Sequence, residues 1–259
     1  INGRKIGLLI CEDIWNKDIP KQLKSKGAEI LISINASPFT ENKATIRQKV
    51  TSKAIDDTGL DVIYLNLIGG QDELVFDGAS FVQTANKKII YQAPHFNEHI
   101  FKIKLEDKKL TPSNNEKIET ISREEKLYEA AKLGLRDYVR KNGFEKVLIG
   151  LSGGIDSALT AAIAVDAFGK DNVHCVMMPS DFTSSDSLKD AKECAEMLGV
   201  KYDIIPIKKA LKQYEAVIPT LSGLAHENTQ SRIRGTILMA LSNASGAMVI
   251  TTGNKSEMA

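Results

Sequence analysis

The chain has 259 residues, of which 42% are hydrophobic, and its 34 basic and 33 acidic residues leave a formal charge of +1. This length can bury the core of one large domain or of two modest ones. The balanced charge argues against a nucleic-acid groove or an anionic membrane surface as partner, so we expect small-molecule partners, no nucleic acid and no membrane. Three cysteines without disulfide or zinc spacing, and the lack of a signal or transmembrane run, predict a cytoplasmic protein.

Short apolar runs alternate with turn signals up to about Leu105, which predicts strands. These runs are KIGLLIC, AEILISI, DVIYLNLI, GASFVQT, KIIYQA and IFKIKL. One helix is predicted between them, over ENKATIRQKVTSKAIDDTG, with Gly59 at its end. The polar segment EDKKLTPSNNEKIETISREE predicts a solvated linker. We therefore assign residues 1–110 to a first domain, 111–122 to a linker and 123–259 to a second domain.

Helices and strands alternate regularly after this linker. A helix ending at Gly143 precedes the strand KVLIGLS, and the helix Ser157–Phe168 precedes VHCVMMP. The helix Ser187–Leu198 precedes KYDIIPI, and TQSRIRGTILMALSNASG precedes AMVITT. This alternation predicts a doubly wound parallel sheet with ligands at the carboxyl ends of its strands. The chain starts at Ile1 as though within a domain and stops without a closing element, so we expect an internal piece of a longer protein.

The segment GLSGGIDS, Gly150–Ser157, joins a predicted strand to a predicted helix. A glycine-rich turn at this place aims backbone N–H groups and the positive end of the helix dipole at one point, which suits a phosphate. Asp156 would repel that phosphate unless a cation intervened, so it suits Mg²⁺. The alternative is a glycine turn that binds nothing. The serines and the acid around the glycines favour a nucleotide site, and the lysine of a Walker-type loop is missing.

The segment GLSGGIDS resembles the SGGxDS pyrophosphate loop of the ATP pyrophosphatases, a family that includes NAD, GMP, asparagine and argininosuccinate synthetases. The segments ENTQSRIRG, TTGNKSE and MPSDFTSSDSLKDA resemble NAD synthetases in particular. The resemblance implies that Asp156 and Glu257 hold Mg²⁺, and that Asn228, Arg232 and Glu257 bind deamido-NAD. It implies ATP binding by Gly150, Leu151, Ser152, Gly153, Gly154, Ile155, Asp156, Ser157 and Thr252.

Arg232 and Arg234 have an alternative reading as charges on a solvated helix face, which is what most helical charges are. The upstream glycine loop favours a role for Arg232 at a substrate phosphate or carboxylate.

Cys11 ends the apolar run KIGLLIC and precedes two acids. A cysteine in this place is commonly a small buried hydrophobe. The run resembles the nucleophile strand of the nitrilase superfamily, however, and NASPFTENK and NLIGGQDELVFDGAS resemble the glutamine-amidase domain of glutamine-dependent NAD synthetases. The resemblance implies that Cys11 forms a thioester with glutamine and releases ammonia, and that Ser37 and Lys43 bind the glutamine. Their alternatives are a turn hydroxyl and an exposed charge at a helix start.

Nitrilases use a glutamate and a lysine together with the cysteine, both upstream of it. No glutamate precedes Glu12 here, and Lys5 lies on the same strand as Cys11, so neither partner is assigned. Either a preceding segment carries them or the glutaminase is inactive. His95 and His99 are predicted to be surface loop histidines.

The fold class that follows is α/β: the C-terminal part of a nitrilase-like α/β sandwich, then a doubly wound parallel-sheet domain of the adenine nucleotide α-hydrolase type. The implied reaction is ATP-dependent amidation of deamido-NAD to NAD through an adenylate, with release of AMP and pyrophosphate. The implied partners are ATP as co-substrate, deamido-NAD, glutamine or ammonia, and Mg²⁺ as cofactor, and we expect a homo-oligomer. Two alternatives stay open, another amidotransferase of this nucleotide fold and a nucleotide-binding module without turnover.

Overall fold

The computed structural model describes residues 3–112 and 121–253 of the chain. It divides into two compact units, Ile1–Gly134 and Leu135–Ala259. Within the described ranges, no helix combines the length and the apolar character that crossing a bilayer requires.

The first unit is built on a five-stranded sheet with the strand order β1-β2-β3-β6-β7. Its first three strands are parallel, and β6 and β7 run antiparallel to them. The strands are β1 (Ile6–Ile10), β2 (Ile30–Asn35), β3 (Val62–Asn66), β4 (Ile68–Gln71), β5 (Leu74–Asp77), β6 (Phe81–Gln83), β7 (Ile89–Gln92), β8 (Ile103–Glu106) and β9 (Lys109–Pro112). The helices are α1 (Asp18–Ser25), α2 (Lys43–Thr58), the first part of α3 (Arg123–Lys141) and a 3₁₀ helix at Cys11–Trp15.

Both faces of this sheet are covered, because its strands carry apolar side chains in both directions. Helices α1 and α2 pack on one face, where Leu31, Val62 and Ile55 are buried together. The hairpin β8–β9 covers the other face, which buries Val82 and Leu110. The sandwich expected from the sequence is therefore present, and α2 ends at the predicted Gly59, whose φ is +65°.

Three elements of this unit differ from the sequence-based expectation. Helix α1 was not predicted from the sequence, because the segment is short, contains Pro20, and has only two apolar residues, Ile19 and Leu23, that pack against the core. The hairpin β4–β5 was not predicted from the sequence. Strand β9 lies in the segment read as a linker, where pairing with β8 and burial of Leu110 outweigh the polar composition. Residues 113–120 of that linker lie outside the described residues.

The second unit is a four-stranded parallel sheet with the order β12-β11-β10-β13. The strands are β10 (Val147–Gly150), β11 (Val173–Met177), β12 (Lys201–Ile204) and β13 (Met248–Ile250). The helices are the rest of α3, then α4 (Ile155–Phe168), α5 (Ser185–Leu198), α6 (Lys208–Val217) and α7 (Gly223–Ser245), with a 3₁₀ helix at Lys170–Asn172. Helix α6 was not predicted from the sequence.

Alternate residues of β10 point into two different cores. Val147 and Ile149 pack with α3, α4 and α5, whereas Leu148 packs with α6 and α7. Helices on both faces of a parallel sheet define a doubly wound domain, so the predicted fold class is confirmed.

Candidate functional site

The chain reverses its direction of travel across the second sheet between β10 and β13. From β10 it proceeds to β11 and β12 on one side, and it returns to place β13 on the other side. Such a reversal leaves a crevice outside the carboxyl ends of the strands, which is where parallel α/β domains bind ligands. The loop Leu151–Gly154 follows β10 at this crevice, and Thr252 follows β13. Two separate parts of the predicted nucleotide site thus lie at one edge.

The loop after β10 is held by its own two serines. Ser157 is 2% exposed, and its hydroxyl accepts from Ser152 N at 3.2 Å and donates to Gly154 O at 2.9 Å. The two serine hydroxyl oxygens are 3.1 Å apart, and Gly154 N donates to Ser152 Oγ at 3.3 Å. These bonds shape the loop before any ligand arrives. The N–H groups of the first turn of α4 have no intrahelical acceptor, so this end of the helix can donate to an anion.

The backbone conformation at position 153 and the lack of space for a side chain there both require glycine. Its φ is +85°, and a Cβ added to it would lie 2.3 Å from Ser187 O in the first turn of α5. The loop therefore touches α5 backbone to backbone. Ser184 caps that helix by accepting from Ser187 N at 3.1 Å, which fixes the α5 terminus against the loop.

A cavity of about 530 Å³ opens beside this loop. Its walls combine the loop, the end of β11, the inner face of α7 and Thr252. The lining residues are Gly150, Leu151, Ser152, Val176, Met177, Met178, Thr183, Ser231, Arg234, Gly235, Leu238 and Thr252. The mostly apolar wall suits a flat ring system, and the loop at its border suits a phosphate. The structure thus brings four of the predicted ATP-binding residues, Gly150, Leu151, Ser152 and Thr252, to one cavity.

A second, more polar cavity of about 570 Å³ adjoins the first, and the two share Thr183, Ser231 and Arg234. Its lining residues are Ser180, Phe182, Thr183, Gly223, His226, Glu227, Gln230, Ser231 and Arg234. This wall was not anticipated from the sequence. The signals in the sequence were the likenesses of MPSDFTSSDSLKDA and ENTQSRIRG to NAD synthetases, since both segments contribute to this wall.

Two of the residues predicted to bind deamido-NAD do not line either cavity. Asn228 and Arg232 are exposed on α7 and are not among the residues that line these two cavities. Arg234 lines both, and its Nε donates to Met178 O at 3.0 Å. Glu257 lies outside the described residues, so its predicted roles with deamido-NAD and Mg²⁺ stay predictions.

In the first unit, Cys11 stands at the carboxyl end of β1 with a φ of +48°. A residue with a Cβ adopts this conformation at a cost, and such strain is concentrated at functional positions. Asp13 Oδ2 accepts from Ile10 N at 2.9 Å, which fixes the turn from the strand into the 3₁₀ helix. The thiol is partly exposed at this edge of the sheet.

Ser37 follows the neighbouring parallel strand β2, and hydrogen bonds with Asn66 and Arg47 hold it in place. Its N–H donates to Asn66 Oδ1 at 2.9 Å, at the end of β3. Arg47 Nε donates to Ser37 Oγ at 3.1 Å, and Arg47 Nη2 donates to Ser37 O at 2.7 Å. Burial raises the pKa of the adjacent Tyr64, and a negative charge on Cys11 would raise it further. Cys11 and Ser37 therefore lie at the ends of adjacent parallel strands, as a shared site requires.

Arg47 is itself held by a buried ion pair. Its Nη1 lies 2.8 Å from Asp77 Oδ1, and both side chains are at most 3% exposed. Burial opposes the ionisation of Asp77, but His95 at 3.5 Å and the charge of Arg47 outweigh it and lower the pKa of this carboxyl. Sequence reasoning missed Arg47, because one arginine in a polar helix carries no sign of burial.

Lys43 begins α2, and its Nζ lies 6.0 Å from the ring centroid of Trp15, in the same 3₁₀ helix as Cys11. The expectation of a surface histidine is wrong for His95, whose side chain is 6% exposed beside Asp77. The bridge between Gly78 and His95 draws this loop inward. His99 is exposed, as expected.

The second unit is a doubly wound α/β domain with a phosphate-type glycine loop at its switch point, and the first carries a strained cysteine at a strand end. The NAD synthase model matches residues 127–259, and the carbon-nitrogen hydrolase model matches residues 1–112. The chain belongs to the NAD synthase family, with a carbon-nitrogen hydrolase domain preceding the synthase domain.

Curated relatives align with nearly the whole of this chain. The chain is 46% identical to the glutamine-dependent NAD(+) synthetase of Rhodobacter capsulatus, covering 98% of this chain and 47% of that protein. The corresponding values for the synthetase of Aquifex aeolicus are 40%, 100% and 52%. The chain thus spans about half the length of the curated relatives it matches.

A solved structure of the glutamine-dependent NAD+ synthetase from Acinetobacter baumannii, in complex with ADP, is also similar. It superposes with a TM-score of 0.92 at 40% identity, covering 100% of this chain and 50% of that one. The enzyme from Cytophaga hutchinsonii, at 22% identity and a TM-score of 0.75, shares the fold over 97% of this chain.

Proposed function

We propose that the protein makes NAD from deamido-NAD, with ATP as the activating co-substrate and glutamine as the nitrogen source. The observation that carries this proposal is the glycine loop at the switch point, in a chain 40–46% identical to glutamine-dependent NAD(+) synthetases. ATP would adenylylate the nicotinate carboxylate and release pyrophosphate, and ammonia would displace AMP. Ammonia would come from glutamine hydrolysis in the first unit.

The ATP would bind with its base in the cavity of about 530 Å³ and its phosphates on the loop from Gly150 to Ser157. Backbone N–H groups of the loop and the positive end of the α4 dipole would then stabilise the charge on the departing pyrophosphate. Thr252 lines the same cavity and would contact the adenosine portion. The ADP bound by the Acinetobacter enzyme supports this class of ligand.

Asp156 fits a role in holding Mg²⁺ jointly with the nucleotide. Its carboxylate is exposed in the first turn of α4, next to the phosphate loop. No group of three His, Cys, Asp or Glu side chains in residues 3–112 and 121–253 could hold a metal by itself. Mg²⁺ commonly takes one or two protein carboxylates and completes its shell with phosphate oxygens and water, so Asp156, with Glu257 as proposed second ligand, suits a metal that arrives with ATP. The ion would neutralise charge on the phosphates.

In the first unit, Cys11 would attack the side-chain amide of glutamine to form a thioester and release ammonia. Ser37, which follows the strand next to β1, and Lys43, whose Nζ lies 6.0 Å from the Trp15 ring centroid, would bind the glutamine. On α7, Asn228 and Arg232 would bind deamido-NAD from the exposed side of the helix. The expected homo-oligomer stays a prediction.

The decisive test is Cys11→Ala in the full-length protein, assayed with two nitrogen donors. Synthesis of NAD from glutamine should fall to background, because no other group forms the thioester. Synthesis from a high concentration of ammonium salt at mildly alkaline pH should continue near the wild-type rate. Cys194→Ala, in the second unit, is the matched control and should retain synthesis from both donors.

Glutamine-driven synthesis by a folded Cys11→Ala protein would rule out this cysteine as the nucleophile. If the wild-type protein released pyrophosphate from ATP only in the presence of a carboxylate other than deamido-NAD, it would be another amidotransferase of the same fold. ATP binding without any pyrophosphate release would favour a binding module.

A further inference from the structure

Arg234 stands where the two cavities of the second unit meet. It lines both of them, together with Thr183 and Ser231. Its Nε donates to Met178 O, at the carboxyl end of β11, at 3.0 Å. This bond ties the middle of α7 to the sheet edge and sets the plane of the guanidinium group.

The bond to Met178 uses one of five N–H donors of the guanidinium. Among residues 3–112 and 121–253, the two terminal nitrogens of Arg234 make no hydrogen bond and no ion pair. Burial lowers the pKa of Arg234, and no carboxylate in residues 3–112 and 121–253 offsets that effect. A partly buried positive charge that lacks a counter-charge in the described part of the chain is costly, and an anionic ligand in the adjoining cavities would offset that cost.

Arg234 and Arg232 project from different sides of α7. Both flank Ile233, which is 4% exposed in the core between α6, α7 and the sheet. Two residues are about 200° apart around an α-helix, so the two side chains leave α7 in nearly opposite directions. Glu227, Gln230 and Ser231 precede Arg234 by seven, four and three positions and line the same cavity. Glu227, the acid of that face, forms no ion pair with Arg234 in the described residues.

We propose that Arg234 binds an anionic oxygen, phosphate or carboxylate, of the nucleotide substrates, with its guanidinium oriented by the carbonyl of Met178. The planar group can present its two terminal nitrogens side by side, which matches two oxygens of a phosphate or carboxylate. This proposal rests on the proposed function for the identity of the ligands. It adds an anion-binding residue on the cavity side of α7, whereas Asn228 and Arg232 lie on the exposed side.

The test measures direct binding of ATP and of deamido-NAD, each alone, to full-length Arg234→Gln and Arg234→Lys by calorimetry. Arg234→Gln should raise the dissociation constant of the ligand that supplies the anion by about tenfold to a hundredfold. Arg234→Lys should recover part of that loss, because it keeps the charge but lacks the planar fork. If Arg234→Gln does not fold, the binding constants of Arg234→Lys still test the proposal. Arg140→Gln, an exposed arginine in the same unit beside Gly143 and Phe144, should bind both ligands as the wild type does.

A change confined to ATP assigns the anion to its phosphates, and a change confined to deamido-NAD assigns it to that substrate. A rise for both ligands also supports the proposal, since it places the guanidinium where the two meet. Unchanged constants for both ligands, with or without a lower unfolding temperature, would overturn it and leave Arg234 a purely structural tie. Failure of the proposed function would appear separately, as wild-type protein that makes no NAD from deamido-NAD and ammonia.

Discussion

Replacing Gly153 by alanine tests whether the phosphate loop depends on its close contact with α5. The φ of +85° costs a residue with a Cβ about 1–2 kcal/mol. The new methyl group would also lie 2.3 Å from Ser187 O, a backbone atom, so the loop or the first turn of α5 must move. Overpacking of this kind costs about 1–3 kcal/mol, which gives a total of about 2–5 kcal/mol for Gly153→Ala.

Gly143→Ala provides the matched control, because it separates strain from collision. Gly143 has nearly the same φ, +81°, but a Cβ added to it would meet nothing within 4 Å. Its substitution should therefore cost only the strain, about 1–2 kcal/mol. The two variants differ in what surrounds the glycine, and both lie in the second unit.

The assay is urea unfolding of the full-length protein, with and without ATP. ATP at a hundred times its dissociation constant should stabilise the folded wild type by about 2.7 kcal/mol. Gly143→Ala should keep that increment, and Gly153→Ala should lose most of it because its loop is displaced from the α4 terminus. Equal destabilisation of the two variants, together with equal stabilisation by ATP, would refute the reasoning.

Two further predictions concern charged groups. Asp156→Asn should weaken Mg²⁺-dependent pyrophosphate release and leave glutamine hydrolysis intact. If this variant made NAD at the wild-type rate across a Mg²⁺ titration, the metal role of Asp156 would be disproved. In the first unit, the pKa of Asp77 is lowered despite its burial, by His95 and Arg47, so its contribution to stability is present above the ordinary aspartate value near 4 and is lost as pH falls below it. Asp77→Asn leaves Arg47 buried without its counter-charge and should cost about 3–5 kcal/mol at neutral pH. The loss of stability with acid should be steeper in the wild type than in Asp77→Asn, and parallel acid-unfolding curves would contradict this.

The sequence alone determined the fold class and the position of the candidate loop. Runs of apolar residues short enough for strands, alternating with helical segments that end at glycines, specify a parallel sheet covered on both faces, because these are local properties. The loop Gly150–Ser157 could be recognised for the same reason, since the glycines and serines that shape it are neighbours in the chain and bond to one another. The strands of the main sheet of the first unit were predictable too, although helix α1, the hairpin β4–β5 and strand β9 were not.

Only the tertiary structure decided which polar side chains face a site. Arg232 and Arg234 flank the buried Ile233 symmetrically in the sequence, and packing of α7 on the sheet turns one of them to the cavities and the other to solvent. Arg47 sits in an otherwise polar helix, and its burial depends on Asp77, thirty positions away in the chain. Such partners meet through the order and register of strands, and no local pattern encodes that order, because it follows from how the whole sheet packs.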